Sequence, residues 1–118
     1  LFWTARSMSA KGALTTLTLN NTGSSDLTGV QVTLDLTFPA SATASVGAPA
    51  GWACNRTIHS TFVCTSTKLV RGGSSHDFNV TVKPQRQFLS TDVLHFSARA
   101  TVLTDPISGD TTAEMTLP

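Results

Sequence analysis

Apolar and polar residues alternate along much of the chain. Val30, Val32, Leu34, Leu36 and Phe38 are separated by Gln31, Thr33, Asp35 and Thr37. That period of two puts the apolar set on one face of an extended strand and the polar set on the other. Phe78, Val80 and Val82 repeat it against Asp77, Asn79 and Thr81, and Pro84, which has no amide hydrogen to give to a ladder, closes the segment. Leu94, Phe96, Ala98, Ala100 and Val102 alternate with His95, Ser97, Arg99 and Thr101, and Ala113, Met115 and Leu117 with Thr112, Glu114 and Thr116. Leu17 and Leu19 alternate with Thr16 and Thr18, which predicts a further strand near the start. Residues 1–9 hold no single phase and are expected to form an edge strand or an N-terminal arm, with 10–118 as the body of the domain.

Between these runs lie stretches rich in Gly, Pro, Asn, Asp and Ser, at residues 20–26, 39–51, 71–75, 84–90 and 105–110. They supply the positive φ, fixed φ and side-chain-to-backbone bonds that chain reversals need, and are expected to be loops. About seven half-buried strands with no helix to cover them must bury their apolar faces against one another. The expected class is therefore all-β, a two-sheet antiparallel β-sandwich, with a closed barrel as the alternative. No internal repeat occurs, although the unit could itself be one member of an array.

Composition sharpens this picture. At 118 residues the chain has room for one core. Twenty threonines and 13 serines against 13% charged residues give a hydroxyl-coated surface, and β-branched Thr suits the wet face of a sheet better than a helix. A formal charge of +1 offers no basic field for nucleic acid. No run approaches the roughly 18–20 apolar residues that span a bilayer, so membrane insertion of this segment is not expected. Residues 1–6 do not read as a signal peptide, and without an initiator Met the chain is expected to be a piece of something longer.

Cys54 and Cys64 are the only cysteines, with nine residues between them. A hairpin fits this spacing, and a bridge closing it would contribute about 3 kcal/mol by loop-closure entropy. Two buried thiols or half of a metal site are the alternatives, but neither Cys-x-x-Cys nor His-x-x-x-His is present, so no metal or other cofactor is expected. The disulfide implies an oxidising compartment.

Leu17-Thr18-Leu19-Asn20-Asn21-Thr22-Gly23, Leu27 to Leu36 and Phe38-Pro39-Ala40 resemble the opening of the DUF11-type immunoglobulin-like repeat of bacterial and archaeal surface proteins. Gly51-Trp52-Ala53-Cys54, Phe62-Val63-Cys64-Thr65, Leu69 to Ser75 and Phe78 to Val82 are similar to that family's paired-cysteine hairpin, turn and following strand, and Ala98 to Val102 and Asp105 to Thr116 to its last two strands. The resemblance covers residue 10 to the end. It departs at Ala98 and near Gly109-Asp110, where the family often carries Asn. It implies an immunoglobulin-like sandwich, extracellular or at the cell surface, serving as a non-enzymatic spacer or adhesion unit beside neighbouring domains of one surface protein.

Candidate chemistry is sparse. His76-Asp77 invites a triad, but neighbours on a strand point to opposite faces, and no Gly-x-Ser-x-Gly elbow is present, so an enzyme is not expected. The lone Glu114 leaves no carboxylate pair for glycoside chemistry. Asp105, Ser108 and Asp110 could ligate Ca²⁺, though Asp and Gly are equally what a turn prefers. Lys11 and Glu114 are candidates for an internal amide crosslink only if Glu114 is buried, and its phase faces water. Asn20, Asn55 and Asn79 open N-glycosylation sequons. Ligand contacts, to a protein or a glycan, are expected from Trp3, Asn55, Arg56, His59 and Arg71 on grounds of exposure. A further alternative is a polymer subunit whose residues 1–9 add to a neighbour's sheet edge.

Overall fold

The alternation is realised as two antiparallel sheets packed face to face. The structure, a computed structural model, describes residues 1–39, 41–58, 60–89, 91–102 and 112–117, with Ala5 and Arg6 described by backbone alone. Its strands are β1 (Phe2–Ser9), β2 (Gly12–Asn20), β3 (Val30–Thr37), β4 (Ala42–Gly47), β5 (Trp52–Ile58), β6 (Thr61–Ser66), β7 (Ser75–Pro84), β8 (Leu94–Val102) and β9 (Thr112–Leu117). One sheet runs β1-β2-β7-β4 and the other β5-β6-β3-β8-β9. The class is all-β, a two-sheet antiparallel sandwich.

The inner faces follow the phases read from the sequence. Val30, Val32, Leu34 and Leu36 of β3 lie inside, as do Leu94, Phe96, Ala98 and Ala100 of β8, and Phe78, Val80 and Val82 of β7. Two tryptophans tie the layers together from opposite flanks. Trp52 on β5 meets Phe78 of the other sheet edge-on at 5.0 Å, and Trp3 on β1 meets Phe96 across the core at 5.7 Å. Each aromatic contact spans the two sheets, so it fixes their relative placement as well as burying area.

The structure has nine strands among the described residues where about seven were expected, and both additions have physical causes. β4 lies inside the 39–51 stretch expected to be a loop; its inward residues Ala42 and Ala44 are buried, but alanine carries too little apolar weight to mark an alternation against Thr43 and Ser45. β1 has no single phase because its register on β2 shifts between Thr4 and Ser7. Thr4 faces Thr16 and Ser7 faces Leu14, so one extra residue is accommodated on β1 and the inward set jumps from odd positions (Trp3) to even ones (Met8). Thr15, fully buried opposite this bulge, donates its hydroxyl to the Thr4 carbonyl at 3.0 Å. Residues 2–9 thus pair within their own sheet, and through Trp3 they share the core of residues 10–118.

The molecule measures 45 × 22 × 21 Å. Following the pairings, the start of β1, the end of β2 and the start of β7 lie at one end, and the β1–β2 turn, the β5–β6 hairpin and the start of β8 at the other. Phe2 lies at the first end and Leu117, opposite Leu94, at the second.

At the first end two loops are clamped to each other. Asn21 Nδ2 donates to the carbonyls of Ser25 (2.9 Å) and Val70 (3.1 Å), and the Asp26 carboxylate accepts the Gly72 amide at 2.9 Å. Gly72 packs so closely that a Cβ there would lie 2.7 Å from the Ser24 carbonyl carbon. Gly72→Ala is therefore expected to cost about 1–3 kcal/mol in urea unfolding, an overpacking penalty against rigid backbone. Trp3 Nε1 is buried with no hydrogen-bond partner among the described residues. Trp3→Ala is expected to cost about 3–5 kcal/mol and Trp3→Phe less than half of that, because the phenyl ring retains most of the packing while the unsatisfied donor disappears.

Candidate functional site

The expected contact residues do not converge. Trp3, expected at the surface, is 6% exposed in the core and presents no platform, because the β1 bulge leaves it on the inward phase. Arg71 is exposed in the loop at the first end, whereas Asn55 and Arg56 lie along β5 toward its hairpin at the other. His59 lies outside the described residues, as do Asp105, Ser108 and Asp110. Among the described residues no cluster of three or more His, Cys, Asp or Glu could hold a metal ion.

Arg56 has a structural contact that sequence reasoning missed. Its Nη2 donates to the Ala44 carbonyl at 2.6 Å, and its guanidinium lies 5.3 Å from the Phe62 ring centroid. Ala44 belongs to edge strand β4 of one sheet and Arg56 to edge strand β5 of the other, so this bond joins the two open edges along one side of the sandwich. A register shift after Arg56 accompanies it. Two positions back, Cys54 and Cys64 face each other across β5 and β6 and are joined by a disulfide. The edge hairpin is therefore fastened by a covalent link to β6 and a charge-assisted hydrogen bond to β4.

His76 turns inward against Trp52, with ring centroids 5.7 Å apart, and its Nε2 lies 3.0 Å from Ser74 Oγ. That hydroxyl also donates to the Arg71 carbonyl at 2.6 Å, while Asp77 faces the opposite way and accepts from Thr18 at 2.8 Å. The carboxylate does not orient the imidazole. Lys11 and Glu114 are both exposed, which does not provide the buried pair an amide crosslink needs. Of the sequon asparagines, Asn79 accepts from Thr16 (3.2 Å) and Asn20 from Ser75, while Asn55 is exposed with no side-chain partner among the described residues.

A concave feature lies on the outer face of the β1-β2-β7-β4 sheet. Near the β1–β2 turn, an open depression of about 350 Å³ is lined by Ser7, Ser9, Lys11, Leu14, Thr81 and Lys83 over the backbone of Gly12. The missing side chain at Gly12 was the sequence signal that could have located it.

No family model matches the chain, and a search of curated proteins finds no similar one. Among solved structures, the chain is similar to the collagen-binding domain from a Staphylococcus aureus adhesin, with a TM-score of 0.58 and 12% sequence identity, covering 98% of this chain and 94% of that one. At that identity the likeness concerns the fold, and it extends over both sheets.

Replacing both cysteines by serine is expected to cost about 2–4 kcal/mol, and Arg56→Ala about 1 kcal/mol, in urea unfolding. Arg56→Lys is expected to recover part of the second loss, since an ammonium can reach the same carbonyl but does not put a delocalised guanidinium over the Phe62 ring.

Proposed function

We propose that the chain is a non-enzymatic, extracellular or cell-surface module of an adhesion protein, serving both as a spacer and as a ligand-binding unit. The observation that carries this reading is the end-to-end likeness to a bacterial adhesin domain whose own description is collagen binding. Two further features support it. Phe2 and Leu117 lie at opposite ends of a 45 Å body, an arrangement that lets such units follow one another in series and span distance. The disulfide on an edge hairpin suits an oxidising exterior.

The finer assignment, to a DUF11-type repeat beside sibling domains, draws its support from the order of the sequence pieces, the paired cysteines among them. Partners on this reading are the neighbouring domains of the parent protein and a protein or glycan ligand presented by another surface; nucleic acid is not among them, and this segment does not insert into a membrane.

Antibodies against this segment are expected to label intact cells of the source organism, and external protease is expected to remove the label. Labelling that requires permeabilised cells would overturn the proposal. Deleting the segment from the parent protein is expected to reduce attachment of those cells to a matrix-coated surface.

A further inference from the structure

We infer that the depression beside the β1–β2 turn binds an acidic saccharide, with Lys11 and Lys83 holding its carboxylate or sulfate group. The inference rests on the adhesion reading and names the ligand class for it.

The depression follows from register. On this outer face Ser7 stands opposite Leu14, and Leu14 opposite Thr81, giving a complete row of side chains across β1, β2 and β7. In the next row Ser9 stands opposite Gly12, which contributes only backbone, and Lys83 stands opposite Thr43 on β4. The gap at Gly12 is the floor of the concavity, and Lys11 and Lys83 line it. Such a shape comes from a missing side chain in an otherwise regular sheet, so it is built into rigid backbone.

The polar groups around it differ from those on the rest of the same face. Farther along, Thr16 is bonded to Asn79, Thr18 to Asp77 and Ser75 to Asn20, so those hydroxyls are satisfied within the protein. Among the described residues the side chains of Ser7, Thr81, Lys11 and Lys83 around the depression have no hydrogen-bond partner, and neither lysine has an ion-pair partner. Asp77, the acid on these strands, is held by Thr18 toward the opposite end. Two unneutralised ammonium groups beside free hydroxyls form a site for an anion that also carries hydroxyls.

Leu14 completes the chemistry. It is 48% exposed at the edge of the depression and offers an aliphatic surface to the C–H face of a pyranose ring. A volume of about 350 Å³ lies at the lower end of ligand-sized pockets and accommodates one or two sugar units. An inorganic phosphate would use the lysines and leave Leu14 bare; a neutral sugar would use Leu14 and the hydroxyls and leave the lysines unpaired. An acidic sugar engages all of them.

The test uses the whole chain, isotopically labelled, titrated with an oligouronate, a sulfated oligosaccharide, a neutral oligosaccharide of equal length and an oligoglutamate. Saturable shifts at Ser7, Leu14 and Thr81 with one or both acidic saccharides are expected, weakening severalfold as salt is raised. Which acidic probe binds decides between carboxylate and sulfate. Lys11→Gln combined with Lys83→Gln is expected to weaken binding at least tenfold without altering thermal unfolding, while Lys68→Gln, an exposed lysine at the other end, leaves it unchanged. Equal binding of the neutral oligosaccharide or of oligoglutamate, shifts confined to other residues, an equal loss in Lys68→Gln, or no binding at all would overturn the inference. If deletion of the segment still reduces cell attachment while no saccharide binds, the adhesion reading survives and the acidic-saccharide site does not; if surface labelling fails as well, both fall.

Discussion

Each long strand of this protein has one wet face and one dry face, and no helix is available among the described residues to cover the dry ones. The inner faces can be removed from water only by covering each other, and the rest of the architecture follows from that requirement. Fully buried Leu17, Phe78, Val80 and Val82 on one sheet lie against Val32, Leu34, Leu94 and Phe96 on the other. At roughly 1.5–3 kcal/mol for each large side chain removed from water, sliding one strand by a residue would expose its whole apolar set. Register is therefore strongly determined along β3, β7 and β8, where the alternation is longest.

What the core does not determine is how the sheets end, and there the solutions are local. On one side Trp3 and the β1 bulge bring the first strand over the core beside β9, with buried Thr15 satisfying the Thr4 carbonyl and lying 3.6 Å from the Met115 sulfur. On the other side Arg56 bridges the open edges of β4 and β5. An edge strand with unpaired backbone groups is a template for unwanted pairing, and a charged side chain capping the Ala44 carbonyl reduces that hazard. The same residue type that sequence reasoning reads as a ligand contact here closes the sandwich.

This division of labour leaves the outer face of the β1-β2-β7-β4 sheet without a structural task. Its hydroxyls and amides form a polar grid, largely self-bonded toward the Asn21 end and open toward the Gly12 end. A neutral, Thr-rich grid remains soluble with few charges, which reconciles the low charged fraction with exposure of a whole sheet face to water. Lys11 and Lys83 stand at the Gly12 end of that face, and the Asp77 carboxylate is held by Thr18 toward the opposite end.

The sequence by itself determined the class, five of the strands, their inward sets and the cysteine hairpin, because alternation at period two reports directly which side of a strand is dry. It left out β4, since alanine is a weak signal of burial, and it could not phase β1, since a single extra residue reverses the parity of inward and outward positions. The candidate contacts depended on exposure, which is a property of the assembled layers: Trp3 reads as surface until Phe96 from the opposite sheet is placed on it, and Arg56 as free until Ala44 arrives from a strand 12 residues away. The depression over Gly12 was likewise decided by tertiary structure, because it exists only once β1, β2 and β7 are in register and set Ser9 and the two lysines around a residue with no side chain.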